Sequence, residues 1–303
     1  MTDGAPRAEA PPPPTRRTLS PSRAADFMQC PLLYRYRTID RLPEAPSPAA
    51  VRGTLVHAVL EHLFDLPADQ RTLDRACAMV EPQWAALRDR EPAVRALFPE
   101  PTGDVTGDVT GDAPGDAADR ALATWLGSAR TLLRTFFALE DPTRLEPAAR
   151  EMPLEHDLTD DLRLRGIVDR LDLTATGAMR VVDYKTGRAP SPASEAKALF
   201  QMRFYALLLW RTRGQVPRLL QLVYLGSGDI LRHAPDEDDL LATERKIRAL
   251  ADAIERNRRT GDWRPRPGRG CTWCSHQALC PAYGGTPPPL PTAPAAPTAP
   301  PGA

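Results

Sequence analysis

Lysine is nearly absent from this 303-residue chain: only Lys185, Lys197 and Lys246 occur among 39 basic residues. A composition pushed this far toward arginine keeps lysine mainly where a planar guanidinium cannot serve, because lysine is a compact point charge. Net charge is lacking as well. The 39 basic residues balance 39 acidic ones, so the molecule as a whole is no polybasic binder. No apolar run reaches the roughly 20 residues that span a membrane, and nothing resembles a secretory leader. The expectation is a cytoplasmic, reducing location and no membrane partner. Cysteines number five, an odd count. In a reducing compartment, spaced cysteines point to metal or catalysis before disulfides.

Charge is unevenly placed. Asp104, Asp108, Asp112, Asp116 and Asp119 form an acidic run, the first four within the tandem repeat GDVTGDVTGDAPGD, which reads as part of a solvated loop over 99–116. Arg256, Arg258, Arg259, Arg264, Arg266 and Arg269 crowd the stretch before the last cysteines. The proline-rich ends, 1–17 and 285–303, read as disordered tails. Between them, 18–284 is expected to form one domain. Its parts are a helical insertion over about 65–148, an α/β core over about 150–260, and a cysteine cluster at 271–280 that draws in Cys30. Ser20-Pro21 starts a helix that ends near Cys30-Pro31. Residues 49–64 form a second helix on which Gly53, His57 and Glu61 share a face. Strands are expected over 150–157, 162–173 and 179–185, a helix over 194–212, a strand over 218–225 and a helix over 236–259. That order makes a mixed sheet flanked by helices.

The most informative stretch is Leu164–Lys185, LRGIVDRLDLTATGAMRVVDYK. It reads as a β-hairpin whose Gly177 supplies the positive φ of a short loop. Setting Thr174 opposite Ala178 places Asp169 opposite Asp183. Like charges directly opposed on neighbouring strands destabilise the pair, and a divalent cation between two carboxylates is the economical remedy. Lys185, two residues beyond Asp183, projects from the same face.

The last ordered stretch, CTWCSHQALCP, holds Cys271, Cys274 and Cys280. Three thiolates need a fourth ligand to close a metal site. His276 would complete a Cys3His zinc site. Cys30, followed like Cys280 by proline, would complete a four-thiolate site for zinc or a [4Fe–4S] cluster. A zinc ribbon normally carries a second C-x2-C, which this chain lacks, and that favours the cluster.

Taken in order, LSPSRAADFMQCPLLYRY, RGTLVHAVLEHLF, RLRGIVDRLD, VVDYKTG, QMRFYALLLW and CTWCSHQALCP resemble the RecB-type branch of the PD-(D/E)XK nuclease superfamily, in its iron–sulfur, AddB-like form. The resemblance spans 19–283. It implies a restriction-endonuclease-like α/β core and Mg2+- or Mn2+-dependent hydrolysis of DNA, as a RecB-like exonuclease in repair or recombination. His57, Asp169, Asp183 and the carbonyl of Tyr184 would bind the metal, and Lys185 would activate water and stabilise the phosphate. Gln201 and Tyr205 would lie beside the site on the DNA strand. Cys30, Cys271, Cys274 and Cys280 would hold the cluster. Glu151 falls loosely where the family carries a first-strand acid. No G-x4-G-K-[ST] motif occurs, so any helicase partner must be a separate chain. The alternatives are a non-cleaving iron–sulfur DNA-binding subunit of a helicase complex and a zinc-stapled interaction protein.

Overall fold

The computed structural model describes residues 16–98, 114–191 and 195–291. The acidic repeat and most of both proline-rich tails lie outside them. Among the described residues, six strands form one mixed sheet: β1 (Arg17–Leu19), β2 (Ala149–Thr159), β3 (Leu162–Leu173), β4 (Met179–Lys185), β5 (Leu219–Tyr224) and β6 (Asp229–His233). β3 pairs antiparallel with β2 and β4, and its start pairs parallel with β1. β4 runs parallel to β5, which turns back into β6. The principal helices are α1 (Pro21–Gln29), α2 (Pro31–Tyr34), α3 (Pro48–Leu63), α4 (Leu73–Ala78), α5 (Val80–Arg90), α6 (Pro114–Leu139), α7 (Glu195–Arg213) and α8 (Glu237–Thr260).

Strand alternation divides the interior in two. Val181, Leu220 and Leu222 join the core built by α1, α7 and α8, whereas Val182, Tyr184 and Val223 join the core built by α3, α5 and α6. Successive strand residues face opposite sides, so β4 and β5 serve both layers and are apolar throughout. α7 is buried on several sides, from Phe200 through Met202 to the run Phe204–Leu209. α8 has one apolar stripe, Leu240, Ile247, Ala251 and Ile254, capped by Asp236 at its start and by Gly261 with φ 70° at its end. The helical arch of α3–α6 is thus no appendage. It covers the β4–β5 part of one face of the sheet and carries His57 on α3.

Several boundaries differ from the sequence reading. Arg17–Leu19, which straddles the expected end of the tail at residue 17, is a strand, because Arg17 donates its amide to Asp161 and its guanidinium to the Asp161 carboxylate at 2.6 Å. Three residues are too few for period-two patterning to register. α6 begins at Pro114, inside the expected loop. At the other end, Pro288 accepts a hydrogen bond from buried Arg35, so the tail is held down at least that far.

One buried charge ties the arch to the sheet. Arg170 on β3, 1% exposed, forms a forked pair with Glu140 at 2.8 and 2.9 Å, bonds the Tyr184 hydroxyl, and faces Asp172. Glu140 also accepts from Gln221 at 3.1 Å. Removing one partner of such a pair leaves the other buried and uncompensated. Arg170→Met is therefore expected to cost about 3–5 kcal/mol in urea unfolding. Loss of less than about 1 kcal/mol would show that Glu140 finds water or another partner.

Candidate active site

The hairpin register is the expected one at 170–173 against 179–182. Gly177 has φ 81°, and the loop closes through Thr174 N to Ala178 O at 3.0 Å. Pairing stops one residue short of the aspartates. On the opposite side of β3, the ladder with β2 includes 150 with 170 and 152 with 168 but skips Glu151 and Asp169. Asp169 therefore stands where β3 loses regular pairing to both neighbours. Glu151 there has φ 41°, a left-handed conformation unusual for glutamate. Such residues cost on the order of 1–3 kcal/mol and cluster at functional sites.

The kink gathers a ligand set. Nδ1 of His57 lies 3.5 Å from Asp169 Oδ2 and 3.9 Å from Glu151 Oε1. Among the described residues, His57, Glu151 and Asp169 are the group whose ligand atoms all lie within 4.8 Å of one another. Nε2 of His57 donates to the carbonyl of Tyr184 at 2.9 Å, and the amide of Tyr184 donates to Asp169 at 2.7 Å. One peptide of β4 thereby orients both groups. A metal-binding histidine commonly donates its second ring N–H to a carbonyl in this way. The Tyr184 carbonyl, expected as a metal ligand, accepts from the imidazole here.

Asp183 and Lys185 point to the α7 side of the sheet. Lys185 Nζ lies 2.6 Å from Asp183 Oδ2 and donates to Gln201 Oε1 at 2.9 Å. Gln201 Nε2 donates to Asp183 Oδ1 and to the Tyr205 hydroxyl, both at 2.9 Å. Gln201 and Tyr205, one turn apart on α7, thus fix the aspartate–lysine pair. Asp183 is 1% exposed, and its Oδ2 is buried without a hydrogen bond of proper geometry. The ring of Tyr205 rests on Gly166 of β3, where an added Cβ would come within 2.8 Å of it. Gly166→Ala should push Tyr205 away, releasing Gln201, and lower turnover about tenfold while the fold persists. Unchanged turnover would mean that Tyr205 is not held by this contact.

The electrostatics are dominated by burial and by the crowding of carboxylates. Burial, then the charge of Asp183, pushes Asp169 up to about 7. For His57, burial lowers the pKa, but contact with Glu151 and the charges of Asp169 and Asp183 outweigh it and bring it up to about 9. A cavity of about 10 Å³, lined by His57, Glu151, Asp169 and Tyr184 among others, is of the size that holds one water or ion. An open cleft of about 700 Å³ passes His57, Lys185, Thr186 and Arg188. Gly53, one turn before His57, lets α3 approach this cleft, since a Cβ there would meet Thr186 Oγ1 at 3.3 Å.

The four cysteines Cys30, Cys271, Cys274 and Cys280 line a separate cavity of about 430 Å³. Cys30 Sγ accepts from Arg266 N at 3.4 Å, and Cys271 Sγ from Gly268 N at 3.3 Å. His276, the other candidate ligand, is buried with Nε2 on Glu44 at 2.7 Å and its ring edge-on to Tyr36. Tyr36 in turn donates to the Leu279 carbonyl at 2.7 Å, docking the cysteine lobe on the N-terminal helices.

The fold and site thus define a six-stranded α/β sheet with a histidine–carboxylate cluster at a strand kink and a D-x-K pair beside it. The family model of the PD-(D/E)XK nuclease superfamily matches residues 18–281, and the chain belongs to that superfamily. It is 25% identical over 294 residues to the Gene 69 protein of Mycobacterium phage L5, covering 88% of this chain and 98% of that protein. Among solved structures it is similar to a candidate exonuclease from Eubacterium rectale, with TM-score 0.49 and 11% identity over 86% of this chain and 87% of that one. It is also similar to SSO0001, with TM-score 0.40 and 14% identity over 88% and 86%. Among the described residues no helix is long and apolar enough to cross a membrane.

Proposed function

We propose that this protein is a divalent-metal-dependent deoxyribonuclease of the RecB type, an exonuclease acting in DNA repair or recombination. The observation that carries the reading is the meeting of His57, Glu151 and Asp169 beside an Asp183–Lys185–Gln201 network. A Mg2+ or Mn2+ ion held by Glu151, Asp169, Asp183 and Nδ1 of His57 would supply a Lewis acid and a bound water of lowered pKa. The donor set fits a hard cation, and the ion-sized cavity lined by His57, Glu151 and Asp169 fits it too. Lys185 places positive charge where a phosphate gains negative charge during attack, and such preorganised charge is worth most in a partly buried site. Gln201 holds the ammonium in position, and Tyr205 holds Gln201. Tyr184 orients His57 through its carbonyl and Asp169 through its amide. The test is incubation of purified protein with end-labelled single- and double-stranded DNA. Cleavage with Mg2+ or Mn2+ and none with chelator supports the reading, and no cleavage under any metal condition refutes it.

At the second centre we infer four-cysteine ligation of a [4Fe–4S] cluster. The four cysteines line one cavity, and His276, the other candidate ligand, is engaged with Glu44 at 2.7 Å. Four thiolates with no second C-x2-C support the cluster reading.

A further inference from the structure

We propose that the groove between α1, β2–β3 and α7 is a binding site for the unpaired nucleotides on one side of the scissile phosphate. Lys197 and Arg165 would hold phosphate, and Ile167 and Pro153 would hold a base. The groove, of about 610 Å³, ends at Gln201 and Tyr205, the residues that fix the aspartate–lysine pair. The 700 Å³ cleft holding Lys185 lies across the Lys185–Gln201 hydrogen bond from it. A chain crossing the reactive centre therefore has space on both sides. Each space is of the size that encloses a drug-sized ligand, not a duplex.

The lining divides as a nucleotide does. Ile167 is 52% exposed, one of the few large apolar side chains left open to solvent, and Pro153 beside it is exposed too. Opposite in character, the Arg165 and Lys197 side chains are exposed with no ion pair or hydrogen bond among the described residues, although Glu155 stands opposite Arg165 in the β2–β3 ladder. Most arginines around them are paired: Arg163 with Asp157 at 2.7 Å, Arg211 with Glu244 at 2.5 Å, Arg17 with Asp161 at 2.6 Å. Glu155, the acid in the groove, lies 3.5 Å from Arg163. Burial, and next the charge of Arg165, lowers the pKa of Arg23 on α1, a mark of cations crowded without an anion between them. The scarce lysines also fall into place. Lys185 sits in the centre, Lys197 in the groove, and Lys246 lies 4.6 Å over the ring of Phe200, which lines the groove.

The proposal rests on the nuclease reading for its substrate, so two measurements keep them apart. Hydrolysis of bis(p-nitrophenyl) phosphate with Mn2+ reports the reactive centre alone. Affinity for a fluorescent 12-nucleotide single strand, with Ca2+ replacing Mn2+, reports the groove. Lys197→Glu and Ile167→Ser alter exposed side chains and should fold normally. Both should hydrolyse the small diester at the wild-type rate. Lys197→Glu should weaken oligonucleotide binding about tenfold and flatten the plot of log K against log salt by about 0.7. Ile167→Ser should weaken it about fivefold with the slope unchanged, the signature of a lost base contact of roughly 1 kcal/mol. Equal affinity and slope in wild type and Lys197→Glu would overturn the proposal, as would a blunt duplex competing as well as the single strand. If the wild type leaves the small diester intact while these binding differences hold, the nuclease reading fails and the groove stands.

Discussion

Asp183→Ala and Lys185→Ala proteins should each cleave end-labelled DNA on the order of 10³-fold more slowly than wild type while melting cooperatively. The fold does not depend on these groups. The metal-free site holds carboxylates that repel one another, and Asp169 is pushed up to about 7 because burial and the Asp183 charge both oppose its ionisation. Asp169 and His57 both have folded pKa values above their ordinary ones, about 7 against 3.8 and about 9 against 6.5. The native state thus holds more protons than the unfolded chain, and stability falls as pH rises. The Asp169 contribution is lost between about 4 and 7, and the His57 contribution between about 6.5 and 9. Chelated wild-type protein should accordingly melt lower as pH rises through that range, and Asp183→Asn should flatten the lower part. A neutral residue at 183 that lowers the melting temperature at every pH would show that the carboxylate is structural. Residual cleavage within tenfold of wild type in either Ala variant would remove Asp183 or Lys185 from the reaction.

Cys30→Ser should lose brown visible absorbance in anaerobically prepared protein and melt well below wild type. Cys30 lies between α1 and α2, while its three companions follow α8, so the proposed ligation would close a loop from residue 30 to residue 271. Releasing a closure of that length costs on the order of 5 kcal/mol in the chain-entropy account of cross-links. The loss would be softened by contacts that survive, including Tyr36 on the Leu279 carbonyl and Trp263 stacked on Tyr34 at 6.0 Å. An unchanged spectrum and melting curve in Cys30→Ser, or zinc in place of iron by metal analysis, would contradict four-cysteine cluster ligation.

The hairpin was the most legible part of the sequence, because alternation and Gly177 fix its loop and its register together. The same arithmetic brought Asp169 and Asp183 to adjacent strands, and D-x-K spacing brought Lys185 back to Asp183. Spacing on α7 likewise put Gln201 beneath Tyr205. What pattern could not carry was departure from pattern. Glu151 enters the site through a left-handed backbone near the start of β2, and nothing in its neighbours announces that turn. Glu140 pairs with Arg170 across 30 residues and has no local signal at all. Gly166 did carry one, since glycine inside a strand often marks close approach, here by the Tyr205 ring. The apolar face of α3 pointed to a buried helix, but only packing reveals that its cover is the back of β4 and β5.

The most direct measurement is anomalous scattering from a crystal grown with Mn2+. The account predicts a peak among Glu151, Asp169, Asp183 and Nδ1 of His57, with the Tyr184 carbonyl still on Nε2. A peak elsewhere, or none at these side chains with saturating Mn2+, would contradict it.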